Sequence, residues 1–300
     1  MSRKLIFALA PAFSLLMCAS CAEGKEVGAA NTSCQVRIDE ADLIAARKSA
    51  PEADEIFEYA GQKGIRHKIF VFRAEVAGSE HKLPSIVLFH GGGWNEGKAT
   101  QFFRQARFLA GRGYVVFLPE YGLTSDGLKP VDSMKDAASA WITIRSKAGE
   151  YNLALDQMSA GGGSAGGHLA ATLAMDTPLR ETPILPKPNA LILFNPVIDN
   201  GPDGYGHSRV SAYWRNFSPL HNIAGDHPDT LFMVGDSDDY VPVATARRYC
   251  KLVGAKGAAC ELFVDPGQKH TWFNGPGFQT TLRLTTEFLD RRFDPAGTCR

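Results

Sequence analysis

The chain has 300 residues, 44% apolar and 21% charged, and its 32 basic and 32 acidic residues cancel to a formal net charge of zero. That is the composition of an ordinary globule long enough to bury a full core, without repeats or low-complexity tracts. It lacks the basic field that nucleic acid would require.

In chain order, Arg3-Lys4 followed by the apolar run from Leu5 to Met17 and then small residues reads as a secretory signal over 1–21, with an apolar stretch too short to cross a bilayer as a helix. Cys18-Ala19-Ser20-Cys21 resembles a bacterial lipobox with Cys21 as the lipidated residue; the other reading is simple cleavage and release. Export to the periplasm, the outer membrane or the medium is the expectation, and an anchor at Cys21 is the only membrane contact expected. Residues 22–64 read as a small, polar linker and an N-terminal helical segment, with one or two helices over 39–60. Residues 65–300 read as the catalytic domain.

Apolar strands are expected at 68–76, 85–90, 114–118, 156–160, 189–194, 230–234 and 260–264. Helical patterns fall between them at 99–111, 132–147, 166–175, 241–253 and 277–291. Such alternation predicts an α/β fold, a mostly parallel sheet flanked by helices, with ligands at the C-terminal ends of the strands. The segment 196–228 is too long for a plain connection and carries Tyr205, Tyr213, Trp214 and Phe217; it reads as a small cap or lid, or as a loop packed down by its aromatics. Trp94, Tyr213 and Trp214 are the expected substrate contacts.

Four segments carry the chemistry. His90-Gly91-Gly92-Gly93-Trp94 follows the strand Ser85 to Phe89, and glycines there let backbone N–H groups approach a ligand. Gly92 and Gly93 are the expected donors. Gly162-Gly163-Ser164-Ala165-Gly166 has the spacing of a serine on a sharp strand-to-helix turn, where flanking side chains would clash and the N–H of Ala165 sits at a helix start. An acid cluster, Asp236, Asp238 and Asp239, leaves the next-to-last strand. His270 is the one histidine after it, so the order Ser, Asp, His assigns the base and leaves the acid among three residues.

Gly161, Gly163 and Gly166 also fit a dinucleotide fingerprint. That fingerprint needs an acid about 20 residues on at the end of the next strand, whereas the nearest, Glu181, lies in a Pro-rich loop. His168 reads as a packing or helix-surface residue. The other histidines show no metal-ligand spacing, so neither a metal nor a cofactor is expected. Four cysteines remain beyond the leader, and an even count in an exported chain points to two disulfides. The pairing with least chain to rearrange joins Cys250 to Cys260 and Cys34 to Cys299, with unpaired buried thiols as the alternative.

The run Leu88 to Trp94, the run Ala160 to Ala170, Ser218-Pro219-Leu220-His221 and the loop from Gly267 to His270 resemble the α/β-hydrolase esterases of the acetyl esterase and hormone-sensitive-lipase-like type, over about residues 65–293. The resemblance implies an α/β-hydrolase fold, a triad at Ser164, Asp238 and His270, and an oxyanion hole at Gly92, Gly93 and Ala165. The resemblance favours Asp238 because the family's usual loop has its acid three residues after the strand-ending Gly and three before Val-Pro, which fits Gly235 and Val241-Pro242. One departure is Glu120-Tyr121-Gly122, where these esterases often carry a Tyr-Arg pair. The function expected is an exported serine carboxylesterase for short, chiefly acetyl, esters, with acetylated plant polysaccharide such as acetylxylan as the first specific substrate. An amidase such as an arylformamidase, or a small serine peptidase, would use the same triad; a non-catalytic binding protein is the third reading.

Overall fold

The computed structural model describes residues 38–75, 81–180 and 185–293. The leader, Cys21, the linker, Cys34 and Cys299 lie outside the described residues. Eight strands make one sheet: β1 (Glu55–Ala60), β2 (Arg66–Phe72), β3 (Leu83–Phe89), β4 (Val115–Pro119), β5 (Leu153–Gly163), β6 (Ala190–Phe194), β7 (Asp229–Gly235) and β8 (Cys260–Asp265), in the order β1-β2-β4-β3-β5-β6-β7-β8. β1/β2 and β2/β4 are antiparallel and every other pair is parallel.

The central strands are continuous apolar runs because both faces are covered. Successive side chains of a strand point to opposite faces. Val87 and Phe89 of β3 therefore join one core with α3 (Pro130–Ser146), α4 (Ala165–Thr172) and α7 (Val243–Gly254). Ile86 and Leu88 join another with α1 (Glu40–Lys48), α2 (Phe103–Gly111) and α8 (Phe278–Phe293).

The sequence expectation for 39–60 is corrected in its second half. Asp39 caps α1 through a bond from Ala41 N–H to its carboxylate, but Glu55–Ala60 is an antiparallel edge strand. In that hexapeptide Phe57 and Tyr59 pack inward while Glu58 faces solvent, a period of two, and Gly61 to Gly64 turn the chain back into β2. The sheet thus begins before residue 65. β2 also ends earlier than expected, and β5 is longer than expected.

Chain order across the sheet decides where a ligand can sit. After β3 the chain crosses to β4 on one side, and after β5 it crosses to β6 on the other, so the loops leaving these adjacent strands part and open a crevice. The Gly-rich run after Phe89 and the turn at Ser164 are these two loops.

Candidate active site

Ser164 sits at the end of β5 with φ 53° and ψ −117°, a left-handed conformation strained for a serine. Its neighbours make the turn possible. A Cβ on Gly162 would lie 2.4 Å from the Phe89 carbonyl oxygen, and one on Gly166 would lie 2.0 Å from the same atom. Only glycine fits at either place. The strain is held by Ser164 N–H donating to Phe194 O and by Val197 and His168 N–H donating to Ser164 O.

His270 lies in the loop after β8, beside Thr271 at φ 65°. Its Nδ1 lies 2.8 Å from Asp238 Oδ2, and its Nε2 lies 2.8 Å from Ser164 Oγ. A carboxylate only accepts, so the proton belongs on Nδ1 and Nε2 is left to accept from the serine hydroxyl. Asp238 is buried, and its Oδ1 accepts from the N–H groups of Tyr240 at 2.8 Å and Val241 at 2.9 Å. The other two acids point elsewhere: Asp236 accepts from Gly267 N–H and the Ser237 hydroxyl, and Asp239 is exposed. The arrangement can pass a proton from hydroxyl to imidazole and hold the imidazolium that results.

Across the crevice, Gly91 N–H is engaged by Gln101 Oε1 at 2.7 Å. The N–H groups of Gly92, Gly93 and Ala165 meet no acceptor among the described residues, which leaves them for a developing oxyanion. Gly92 and Gly93 take φ values of 125° and 63°, and a Cβ on Gly92 would strike the Glu96 carbonyl at 1.9 Å. Several side chains hold this loop. His90 is buried, with Nε2 3.3 Å from Glu120 Oε2, while Tyr121 hydroxyl donates to His90 O and its ring stacks on the imidazole. Burial pushes the Glu120 carboxyl up, but its bonds with His90 and Ala99 N–H outweigh burial and hold it below its ordinary value. Glu120 and Tyr121 thus clamp His90. Arg209 Nη1 donates to Gly93 O at 2.6 Å.

The cleft, of about 410 Å³, is walled by Gln101, Tyr205, Arg209, Tyr240 and Phe273 around Ser164 and His270. The expected contacts Trp94, Tyr213 and Trp214 do not line it. Trp94 is fully buried, packed edge-on against His168 and Phe217 and stacked under Arg209. Tyr213 packs on Phe217, and Trp214 packs on His221. These rings fasten the segment between β6 and β7, which contains α5 (His207–Val210) and α6 (Trp214–Phe217), onto the domain. From that segment Tyr205 and Arg209 line the cleft. Sequence reasoning missed Arg209, Tyr240 and Gln101, which carry no motif and are brought in from segments distant in the chain.

His168 is buried within the packing instead of on the helix surface. Burial pushes its imidazole down to about 3, and it bonds Phe217 O at 3.0 Å. Among the described residues no group of three or more His, Cys, Asp or Glu side chains converges to hold a metal ion. Cys250, on α7, and Cys260, opening β8, are joined by a disulfide.

Residues 75–190 match the BD-FAE family and residues 192–295 match the prolyl oligopeptidase family. An acetylxylan esterase of Xylanibacter ruminicola is 26% identical over 224 residues, 68% of this chain and 43% of that protein. An esterase of Gibberella moniliformis is 30% identical over 132 residues, 44% of this chain and 41% of that protein. The chain thus spans about two-fifths of the length of these curated relatives. The solved structure of the esterase Est2 from Thermogutta terrifontis superposes with a TM-score of 0.73 at 33% identity, covering 80% of this chain and 92% of that one. The propionate-bound form of Est2 gives 0.72 at 33% identity, with 80% and 94% covered.

Proposed function

The chain belongs to the α/β-hydrolase esterases, and on that premise we propose that it is a serine carboxylesterase with Ser164 as nucleophile, His270 as base and Asp238 as the orienting acid. His270 Nε2 takes the hydroxyl proton as Ser164 Oγ attacks the ester carbonyl. The N–H groups of Gly92, Gly93 and Ala165 stabilise the oxyanion. The imidazolium then gives its proton to the leaving alkoxide, and a water deprotonated by the same nitrogen releases the acid and frees Ser164. The unbroken line from Asp238 through His270 to Ser164, 2.8 Å at each step, carries this reading.

The preferred esters are short. The segment between β6 and β7 spends Tyr213, Trp214 and Phe217 on packing and offers the cleft Tyr205 as its one aromatic among the described residues, so little apolar wall remains to bury a long acyl chain. The propionate-bound and butyrate-bound Est2 structures support the same size range. The relative named acetylxylan esterase supports an acetylated plant polysaccharide as the alcohol side. The leader-like residues 1–21 support export, with release or anchoring at Cys21 as the two outcomes. A folded Ser164→Ala variant should lose ester cleavage by several orders of magnitude, and near-native turnover would refute the assignment. The match to the prolyl oligopeptidase family favours one second reading, cleavage of amides by the same triad. A panel of p-nitrophenyl esters, anilides and acetylated xylan separates the two.

A further inference from the structure

Asn195 lies at the end of β6, immediately before Pro196, and combines two unfavourable features. Its φ is 38°, a left-handed conformation in a non-glycine residue, and its side chain is fully buried with Oδ1 lacking any hydrogen-bond partner. Each is destabilising, and strained or unsatisfied residues of this kind cluster at working sites. If the turn alone mattered, glycine would satisfy it with neither penalty. What asparagine adds is Nδ2, which stands 3.4 Å from His270 Nε2.

That nitrogen has one lone pair and two protein donors facing it, Ser164 Oγ at 2.8 Å and Asn195 Nδ2 at 3.4 Å. In the free enzyme the serine is closer and holds the lone pair. In the acyl-enzyme Ser164 Oγ is an ester oxygen with no proton to donate, so the serine no longer fixes the imidazole. From the triad reading above, we infer that Asn195 is a positioning residue for deacylation. Its amide N–H keeps the ring of His270 aimed while the serine is acylated, and yields Nε2 to the incoming water. The bond is long because the amide is the second partner. Asp238 anchors Nδ1 throughout, so the amide and the carboxylate together fix both ends of the ring.

The test separates the two half-reactions. Asn195→Gly removes the amide and relieves the backbone; Asn195→Ala removes the amide and keeps the strain. With an acetyl ester in excess, quenched samples are read by intact-protein mass spectrometry for acetyl-Ser164, and deacylation is followed after the ester is removed. Both variants should carry a higher acetylated fraction than the native enzyme. Deacylation should be roughly three- to tenfold slower, the range of one lost hydrogen bond, with acylation within about twofold of native. An unchanged or lower acetylated fraction overturns the inference, as does equal slowing of both steps. A loss in Asn195→Ala that is absent in Asn195→Gly also overturns it, since the cause would then be the backbone. Native enzyme that never acetylates Ser164, together with an active Ser164→Ala variant, would instead refute the triad itself.

Discussion

Replacing Asp238 by asparagine tests the site through one proton. Oδ1 of Asp238 accepts from two backbone N–H groups, those of Tyr240 and Val241, and Oδ2 faces His270 Nδ1. An asparagine there has one oxygen and one NH₂. If the NH₂ faced the backbone, the N–H groups of Tyr240 and Val241 would both lose their acceptor, at about 1–3 kcal/mol for the buried Val241 donor alone. The oxygen therefore stays on the N–H groups and the NH₂ faces Nδ1. Nδ1 must now accept, the imidazole proton moves to Nε2, and Nε2 can no longer take the proton of Ser164. The wrong tautomer should lower kcat by on the order of 10⁴, the loss known for the equivalent change in a serine protease, or about 5 kcal/mol in the transition state. Because both backbone bonds survive, urea unfolding should stay within about 1 kcal/mol of native. Steady-state hydrolysis of p-nitrophenyl acetate reads the first quantity, with Asp236→Asn and Asp239→Asn as controls that should change little. A loss below about 100-fold in a folded Asp238→Asn variant, or an equal loss from Asp236→Asn, would refute the reasoning.

Each buried methylene is worth roughly 0.8 kcal/mol, so an enzyme without a long acyl wall should show kcat/KM highest for acetyl to butyryl esters and at least about tenfold lower for octanoyl; an optimum at eight carbons or more would point to a lipase-like pocket. The imidazole of His168 is held near 3 when folded and titrates near 6.5 when unfolded, so the unfolded chain binds the extra proton between these values. Its contribution is fully present above about pH 6.5 and is lost as pH falls toward 3, on the order of 5 kcal/mol. Urea unfolding of His168→Phe should show a shallower acid decline than native, and parallel declines would contradict the assignment. Reducing Cys250–Cys260 opens a loop of ten-residue separation and should destabilise by up to about 3 kcal/mol, whereas peptide mapping that finds both thiols free in the mature protein would remove the bridge.

The residues that were legible in the sequence are those whose constraint is local. Gly162 and Gly166 flank Ser164 because a Cβ at either would strike Phe89 O, and a steric demand inside a pentapeptide leaves a pentapeptide signature. The apolar runs of β3 to β7 are legible for a similar reason, since a strand covered on both faces must be apolar throughout. The short edge strand β1 was not, because six residues with one buried tyrosine carry too little period to tell strand from helix. Trp94 stands in the Gly-rich motif yet is buried by His168 and Phe217, partners 74 and 123 positions away in the chain. Asp236, Asp238 and Asp239 are one residue type within four positions, and what separates them is which one reaches the ring of His270, 32 residues later in the chain. Arg209, Tyr240 and Asn195 share this history. Their place beside Ser164 follows from strand order and from the crevice between the loops after β3 and β5, a relation among distant segments that no local pattern of residues encodes.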